Sequence, residues 1–295
     1  MRLRVEPGDA GTRLDAFLAG PLGSRARAAR AIAEGRVRVD GEPARKAHSV
    51  REGEVVEWEE APAEPVEDVA PAAFTVAYED EHLLVVDKPA GVVVHPGSGR
   101  RSGTLAQALS GLAAGGEAER AGIVHRLDKG TSGLLVVARS EAVHEALKAQ
   151  IQARAVRREY LGLVVGRPAS RTGTIDAPIG RDRQARTRVS TDTDEPREAR
   201  THFALERALP DSSLLRLTLD TGRTHQIRVH LAAIGLPVAG DPEYGAAGAY
   251  GLERQFLHAA RLAFAHPVTG EPVDVESPLP ADLEAALRRA STNVR

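Results

Sequence analysis

The sequence predicts an α+β protein in two parts, and three stretches of its 295 residues carry that prediction. Residues 1–60 pass from helical apolar spacing to strand-like alternation within a short span. Residues 61–73, APAEPVEDVAPAA, mix proline, alanine and acids without any period, as an extended linker does. From residue 74 to residue 295, short apolar runs of strand length recur between turn residues, with amphipathic helical segments among them. The expected units are therefore a small module over 1–60, a linker over 61–73 and a large domain over 74–295.

In the first unit Leu14, Phe17 and Leu18 have helical spacing. Ser24 is suited to cap a second helix that turns Ala28, Ala29, Ile32 and Ala33 inward, and Gly35 is suited to end it. A spacing of three puts Arg27 and Arg30 on one face of that helix. Val37 and Val39 then alternate with Arg36 and Arg38, Asp40-Gly41 supplies a tight turn, and residues 50–58 are expected to return as a strand. This order of helix, helix and hairpin, with RLDAFLAG followed by SRARAARAIAEGRVRVDGEPARKAHSVREGEVVEW, resembles the S-four RNA-binding module over residues 12–58. Asp40 stands where that module more commonly has asparagine. The resemblance implies that Arg25, Arg27, Arg30 and Arg38 face RNA phosphates, contacts that give affinity and register but little sequence information.

The large domain opens with TVAYEDEHLLVVDKPAGVVVHPGSG. It suggests a short strand, a second over 83–86, a turn at Lys88-Pro89-Ala90-Gly91, a third strand over 92–94 and a loop at Gly97, Ser98 and Gly99. Residues 104–112 have helical character. Residues 123–140, IVHRLDKGTSGLLVVARS, run from an apolar pair through a polar knot to Gly133 and an unbroken apolar strand over 134–138. An amphipathic helix is expected over 141–151. In RREYLGLVVG, strand alternation puts Arg158 and Tyr160 on one side and Leu161, Leu163 and Val165 on the other. IGRDRQARTRVS is an arginine-rich loop fit to face RNA, and 214–219 is a strand leading into TGRTHQIRVHLAAIGLPVAGDPEYG. FLHAARLAFAHPVTGEPVDVESPLP closes the sheet, and 281–289 forms a last helix.

Asp128 is the residue around which these elements gather. It stands with Arg126, Lys129, Thr131 and Ser132 at the mouth of an apolar strand, where a buried charge is unfavourable unless paired. By residue type alone the segment is either a turn before a strand or the seat of a working carboxylate. HRLDKGTSG with its trailing strand resembles the signature of the RluA/RluD type of RNA pseudouridine synthase, with Gly130 where family members often carry an acid. VVDKPAGVVVHPG and TGRTHQIRVHLAAIGLPVAGDPEYG resemble two further motifs of that family, so the likeness extends over nearly the whole chain.

The resemblance implies a pseudouridine synthase fold, a large mixed but mainly antiparallel sheet with helices and loops around a cleft. It implies isomerisation of uridine to pseudouridine in RNA, with Asp128 as the catalytic residue, Tyr160 against the target base and Arg228 paired with Asp128. An arginine beside an aspartate lowers its pKa by about 1–3 units, opposing the rise that burial causes. His125, Arg126, Arg158, Arg223, His225 and Gln226 are the expected substrate-binding residues, with Leu257 or Leu262 packing under the uracil and Arg126 entering the vacated base stack. Large-subunit ribosomal RNA is the foremost substrate. Transfer RNA, or an idle RNA-binding or ribosome-assembly role, are the alternatives.

Composition bounds these expectations. With 42% hydrophobic and 27% charged residues the chain reads as globular, and no apolar run approaches the roughly 20 residues of a membrane span. Its charged N-terminus has no apolar signal region, so a cytoplasmic protein without membrane contact is expected. The absence of cysteine excludes disulfides, a thiol nucleophile and thiolate metal sites. A net charge of −2 argues weakly against nucleic acid as an average, but arginines crowd residues 25–45 and 154–188 while acids collect over 52–68, which allows basic faces. The rival explanation is arginine used as an ordinary surface residue. His225 and His230 invite a zinc reading, but their spacing of five, unlike the four of HExxH, would put strand side chains on opposite faces. No metal, dinucleotide or other cofactor is expected, and the protein is expected to be a monomer.

Overall fold

The computed structural model describes residues 1–292, apart from Ser24, Lys46, residues 60–71, 97–101 and 117–121, and Arg186. The expected cap at Ser24, nearly all of the expected linker and the Gly97-Ser98-Gly99 loop lie outside the described residues. The chain divides into two compact units, 1–67 and 68–295.

The first unit contains β1 (Arg2–Arg4), α1 (Leu14–Phe17), α2 (Arg25–Ala33), β2 (Val37–Val39), β3 (Glu42–Pro43) and β4 (Val55–Trp58), with strand order β1-β4-β2-β3. Leu14, Leu18, Ala28, Ala31 and Ile32 pack on Val37, Val56 and Trp58. Ala33, expected inside, is exposed. It lies five residues beyond Ala28, and at 3.6 residues per turn that points it well away from the stripe formed by 28, 31 and 32. Asp40 and Gly41 both have positive φ, 50° and 81°, as a two-residue hairpin turn requires. The expected strand over 50–58 is shorter, because Gly53 (φ 83°) turns the chain and only β4 pairs.

The second unit begins with β5 (Thr75–Glu79), β6 (Leu83–Lys88), α3 (Leu105–Ala108), β7 (Ser132–Ala138), α4 (Glu141–Gln152) and β8 (Arg157–Val165). It continues with β9 (Thr172–Asp176), β10 (Gly180–Arg181), β11 (Val189–Ser190), β12 (Arg200–Ala208), β13 (Ser212–Leu219) and α5 (Gln226–Ala233). It closes with β14 (Leu257–Ala265), β15 (Pro272–Glu276) and α6 (Ala281–Ser291). Nine strands form one sheet in the order β5-β6-β7-β14-β8-β13-β12-β9, with β15 paired to β14. The β7–β14 pair is parallel, through His258 with Ser132 and Ala259 with Gly133, and the other ladders of the sheet are antiparallel.

The apolar run of β7 is unbroken because both faces of the sheet are covered. Leu135 and Val137 enter the core shared with Leu163, Leu217 and Phe256, while Leu134, Val136 and Ala138 enter a second core with Val143 and Leu147 of α4. Gly133 (φ 111°) is required where β7 meets β14, since a Cβ there would lie 2.3 Å from the carbonyl oxygen of Ala259.

Three local expectations change. Residues 92–94 are not a strand; the carbonyls of Val93 and Val94 instead accept the first amides of α3, from Leu105 and Ala106, at 2.9 and 3.0 Å. The helix expected over 104–112 is the single turn α3, held by a capping box between Thr104 and Gln107. The arginine-rich loop contains the small hairpin β10–β11, with Gly180 opposite Ser190 and Arg181 opposite Val189.

Candidate active site

β7 and β14 are parallel neighbours only at their first residues, and above that point the edge of β7 is closed by backbone, through the bridge of Ile123 with Val137 and the Ala138 amide on Gly122, and by one side chain. The Val136 amide donates to Nε2 of His125 at 3.1 Å. His125 therefore stands in for a strand, and the loop that carries it is drawn onto the sheet. Burial, and secondarily the Arg158 charge, hold the imidazole pKa down at about 3, so the ring is neutral.

The same loop presents Asp128. Its carbonyl accepts from Thr131 at 3.0 Å, the next carbonyl, of Lys129, accepts from Gly91 at 2.7 Å, and Arg254 donates to the carbonyl of Gly130 at 3.0 Å. Lys88 is fully buried beneath it, donating to the carbonyls of Pro89, Val92 and Lys129 at 2.9, 3.0 and 3.5 Å. Burial lowers the Lys88 pKa to about 7, against the pull of Asp128. Gly130, where an acid is common in the resembled family, leaves room that Gln255 occupies: a Cβ there would be 2.4 Å from the Gln255 Oε1. The Gln255 amide in turn donates to Thr131 at 3.2 Å.

Arg228 comes from α5, which is a helix and not the strand assumed in weighing His225 against His230. Along a helix a spacing of five separates the two rings by more than a quarter turn. His230 is buried against the Thr201 hydroxyl and the Ala177 carbonyl, while His225 faces the cleft. His225 itself begins α5 in the left-handed region (φ 57°), a strained conformation for a residue with a side chain. Its Nδ1 lies 3.0 Å from the Tyr244 hydroxyl and its Nε2 lies 3.9 Å from Asp128.

The guanidinium of Arg228 meets three carboxylates. Nη1 donates to Asp128 at 3.3 Å, Nε and Nη2 hold Asp241 at 2.7 and 2.9 Å, and Nη2 also reaches Glu243 at 3.3 Å. Its carbon lies 4.9 Å from the centre of the Tyr244 ring. Burial works to raise the Asp241 pKa, but the two bonds from Arg228 and its charge bring it below the usual carboxylate range. Asp241, Glu243 and Tyr244 belong to GDPEYG, the end of the motif TGRTHQIRVHLAAIGLPVAGDPEYG, and are not among the expected site residues. The pattern of acids and an aromatic after Gly240 was the available signal.

Asp128, Arg228, Tyr160, His125, Arg126, Arg158, Arg223, His225, Gln226 and Leu257 all line one cavity of about 590 Å³. Tyr160 and Leu257 come from adjacent strands, β8 and β14, and are 5% and 3% exposed. Leu262 lies in the second core and not in the cavity. Burial raises the Tyr160 pKa, Arg158 lowers it and Asp128 raises it. Gln226 is buried, and its amide is fully engaged with the protein: Oε1 accepts from Thr221 and Arg223, and Nε2 donates to Arg200 and Thr201. Arg126 and Arg223 are exposed at the cavity rim.

The arginines expected to face phosphates are exposed in the first unit. Arg25 donates to Asp15 at 2.9 Å and Arg30 to Glu34 at 2.6 Å, while Arg38 donates to the Gly41 carbonyl at 3.0 Å. Among the described residues one group has metal-ligand spacing, Glu141, His144 and Glu145 on α4, whose ligand atoms lie within 4.8 Å of one another. None of the three lines the cavity, and Lys148 already binds Glu145 at 3.0 Å. No helix among the described residues is long and apolar enough to cross a membrane.

A half-buried aspartate held by a buried guanidinium shares its cavity with an aromatic ring, an arrangement suited to an enzyme that works through a carboxylate. Residues 82–233 match the family described as RNA pseudouridylate synthase, and residues 12–56 match the S4 domain. A protein of Chloroflexus aurantiacus named as an uncharacterized RNA pseudouridine synthase is 49% identical over 97% of this chain and 92% of its own length. The ribosomal large subunit pseudouridine synthase D of Xanthomonas campestris is 45% identical over 99% of this chain and 94% of its own. Among solved structures, human RNA pseudouridylate synthase domain containing 1 superposes with a TM-score of 0.58 at 30% identity, covering 75% of this chain and 90% of that one. The chain belongs to the RNA pseudouridylate synthase family, and it carries an S4 domain at its N-terminus.

Proposed function

We propose that this protein converts specific uridines of large-subunit ribosomal RNA to pseudouridine in the cytoplasm, as a monomer and without metal, dinucleotide or other cofactor. The observation that carries the proposal is the 3.3 Å bond from Arg228 to Asp128 in a cavity that also contains Tyr160. The ribosomal substrate is supported by the names of near full-length relatives, among them the Xanthomonas protein.

Asp128 acts at the sugar of the target nucleotide, either attacking carbon 1′ or taking the proton from carbon 2′, and the bond from carbon 1′ to the base breaks. The base turns, and carbon 5 bonds to carbon 1′ in place of N1. Arg228, fixed by Asp241, holds and aims Asp128 through Nη1. Tyr160 and Leu257 pack against the uracil. A paired or stacked uridine cannot reach a pocket of this kind, so the nucleotide is unstacked at a cost of a few kcal/mol, and Arg126 at the rim enters the space it leaves. His125 acts chiefly by holding the loop that bears Asp128, and Gln226 by anchoring the start of α5, which bears Arg228, while Arg223 and His225 complete the rim. Arg25, Arg27, Arg30 and Arg38 bind phosphates, with Arg25 and Arg30 exchanging their carboxylate partners for RNA.

The test is a pseudouridine map of total RNA from cells with the protein, without it, and re-supplied with the Asp128→Asn variant. Sites lost from large-subunit ribosomal RNA and restored only by the unaltered protein are the expected result. Sites lost only from transfer RNA would move the substrate, and an unchanged map together with an inactive purified protein would remove the activity.

A further inference from the structure

Two guanidiniums line the cavity, and their surroundings are opposite. Arg228 has carboxylate oxygens of Asp128, Asp241 and Glu243 at 3.3, 2.7 and 3.3 Å. Arg158 is as deeply buried, 6% exposed, and forms no ion pair with any described residue. Its Nη2 makes a long bond to the Leu219 carbonyl, 3.4 Å, and its Nε is shielded from solvent without a partner. On the side of Nη1 stands Gly222, where a Cβ would lie 3.0 Å from that nitrogen and which offers no side chain of its own. The nearby imidazole of His125 is neutral and its Nε2 is already bonded to Val136.

A buried cation without a counter-ion is strongly unfavourable unless something anionic arrives. The Tyr160 hydroxyl feels Arg158 from one direction of charge and Asp128 from the other. The cavity therefore has a negative part at Asp128 and an uncompensated positive part at Arg158, with the aromatic ring related to both.

We propose that Arg158 is the counter-charge for the detached base, an assignment that stands on the chain being a uridine isomerase. When the bond from carbon 1′ to N1 breaks, its electron pair leaves with the uracil. Carbon 1′ either gains an oxygen of Asp128 or the sugar loses its 2′ proton to that carboxylate, and in both routes the base is a monoanion. Arg158 donates to the carbonyl oxygens that share this charge, a planar fork meeting a planar anion. When carbon 5 bonds to carbon 1′, the carboxylate is freed or returns its proton to carbon 2′. Carbon 5 loses its proton, N1 gains one, and the guanidinium is again uncompensated, which favours release of the neutral product.

The test uses the full-length protein and RNA bearing either uridine or 5-fluorouridine at the target position. Loss of the parent nucleoside is followed in a single turnover at saturating enzyme. Fluorine makes the departing anion a weaker base, so it needs less stabilisation. For Arg158→Gln the uridine rate is expected to fall by about 10²–10³, with RNA affinity little changed. The loss is expected to be about tenfold smaller with 5-fluorouridine. Arg158→Lys, which keeps the charge in the cavity, is expected to recover part of the rate, and it serves as the test if the glutamine variant does not fold. Equal losses for the two bases would overturn the proposal. So would weaker RNA binding with an unchanged saturated rate, which would make Arg158 a phosphate anchor. An unaltered protein inactive on every RNA would instead sink the functional reading itself.

Discussion

Asp241 grips Arg228 through both carboxylate oxygens, at 2.7 and 2.9 Å, and in doing so leaves Nη1 to Asp128 alone. Asp241 is fully buried, and its Oδ1 also accepts the amides of Glu243 and Tyr244 at 2.9 and 3.1 Å. The turn after α5 thus fixes the direction in which the guanidinium meets Asp128.

Replacing Asp241 with asparagine keeps an oxygen for those two amides and removes the charge. The single-turnover rate is expected to fall by about 10–100-fold. Asp241→Ala, which leaves Arg228 buried with one partner fewer, is expected to lose about 3–5 kcal/mol of stability in chemical denaturation. An asparagine variant with an unaltered rate would separate Asp241 from catalysis.

Asp128→Asn is nearly isosteric, and its effect is expected to be confined to chemistry. Isomerisation should be abolished, while RNA affinity measured by filter binding stays within a few fold. Residual turnover in this variant would mean that another group acts at the sugar.

Tyr160 separates stacking from its hydroxyl. Tyr160→Leu is expected to weaken binding of the target-containing RNA by about 1–3 kcal/mol, the usual worth of a base on an aromatic ring. Tyr160→Phe should retain that affinity. Because burial raises the Tyr160 pKa above its ordinary value of 10.0, no alkaline fall in rate below that pH is expected from this hydroxyl. A profile of rate against pH for both variants checks the point.

His125 makes stability depend on acidity. Its pKa falls from 6.5 to about 3 on folding, chiefly through burial, so between those values the unfolded chain binds a proton that the folded one excludes. The contribution is therefore fully present above about pH 6.5 and is lost progressively as the pH falls towards 3. His125→Gln, whose amide oxygen can still accept from Val136, should unfold with a shallower dependence on pH across that window. Urea midpoints at several pH values measure it.

Arg38 lies outside the catalytic domain, exposed on β2. Arg38→Gln is expected to weaken RNA binding for every sequence alike and to lower the slope of log affinity against log salt by about 1. A slope that does not change would remove Arg38 from the RNA-binding face.

Much of this was legible because it is local. Apolar period, turn residues and a nine-residue string rich in polar residues and glycine are properties of short segments, and they located β7, α4, β8, the hairpin turn at Asp40-Gly41 and the loop of Asp128. Short apolar stretches were less informative. Residues 92–94 have strand composition but cap α3, and 226–233 follow a strand yet form a helix, because a few apolar residues fit either period when packing on a larger sheet decides.

Residue types and their order determined that this chain is an α+β protein with a small N-terminal module, an aspartate at the mouth of a buried strand, and a tyrosine and arginines to accompany it. Only the tertiary structure decided which arginine is neutralised and which is not. Arg228 lies 100 positions from Asp128 and 13 from Asp241, yet touches both, while Arg158, two positions from Tyr160, is buried without a carboxylate among the described residues. Charge balance in a cavity depends on what folding brings within a few ångströms, and sequence distance carries no measure of that.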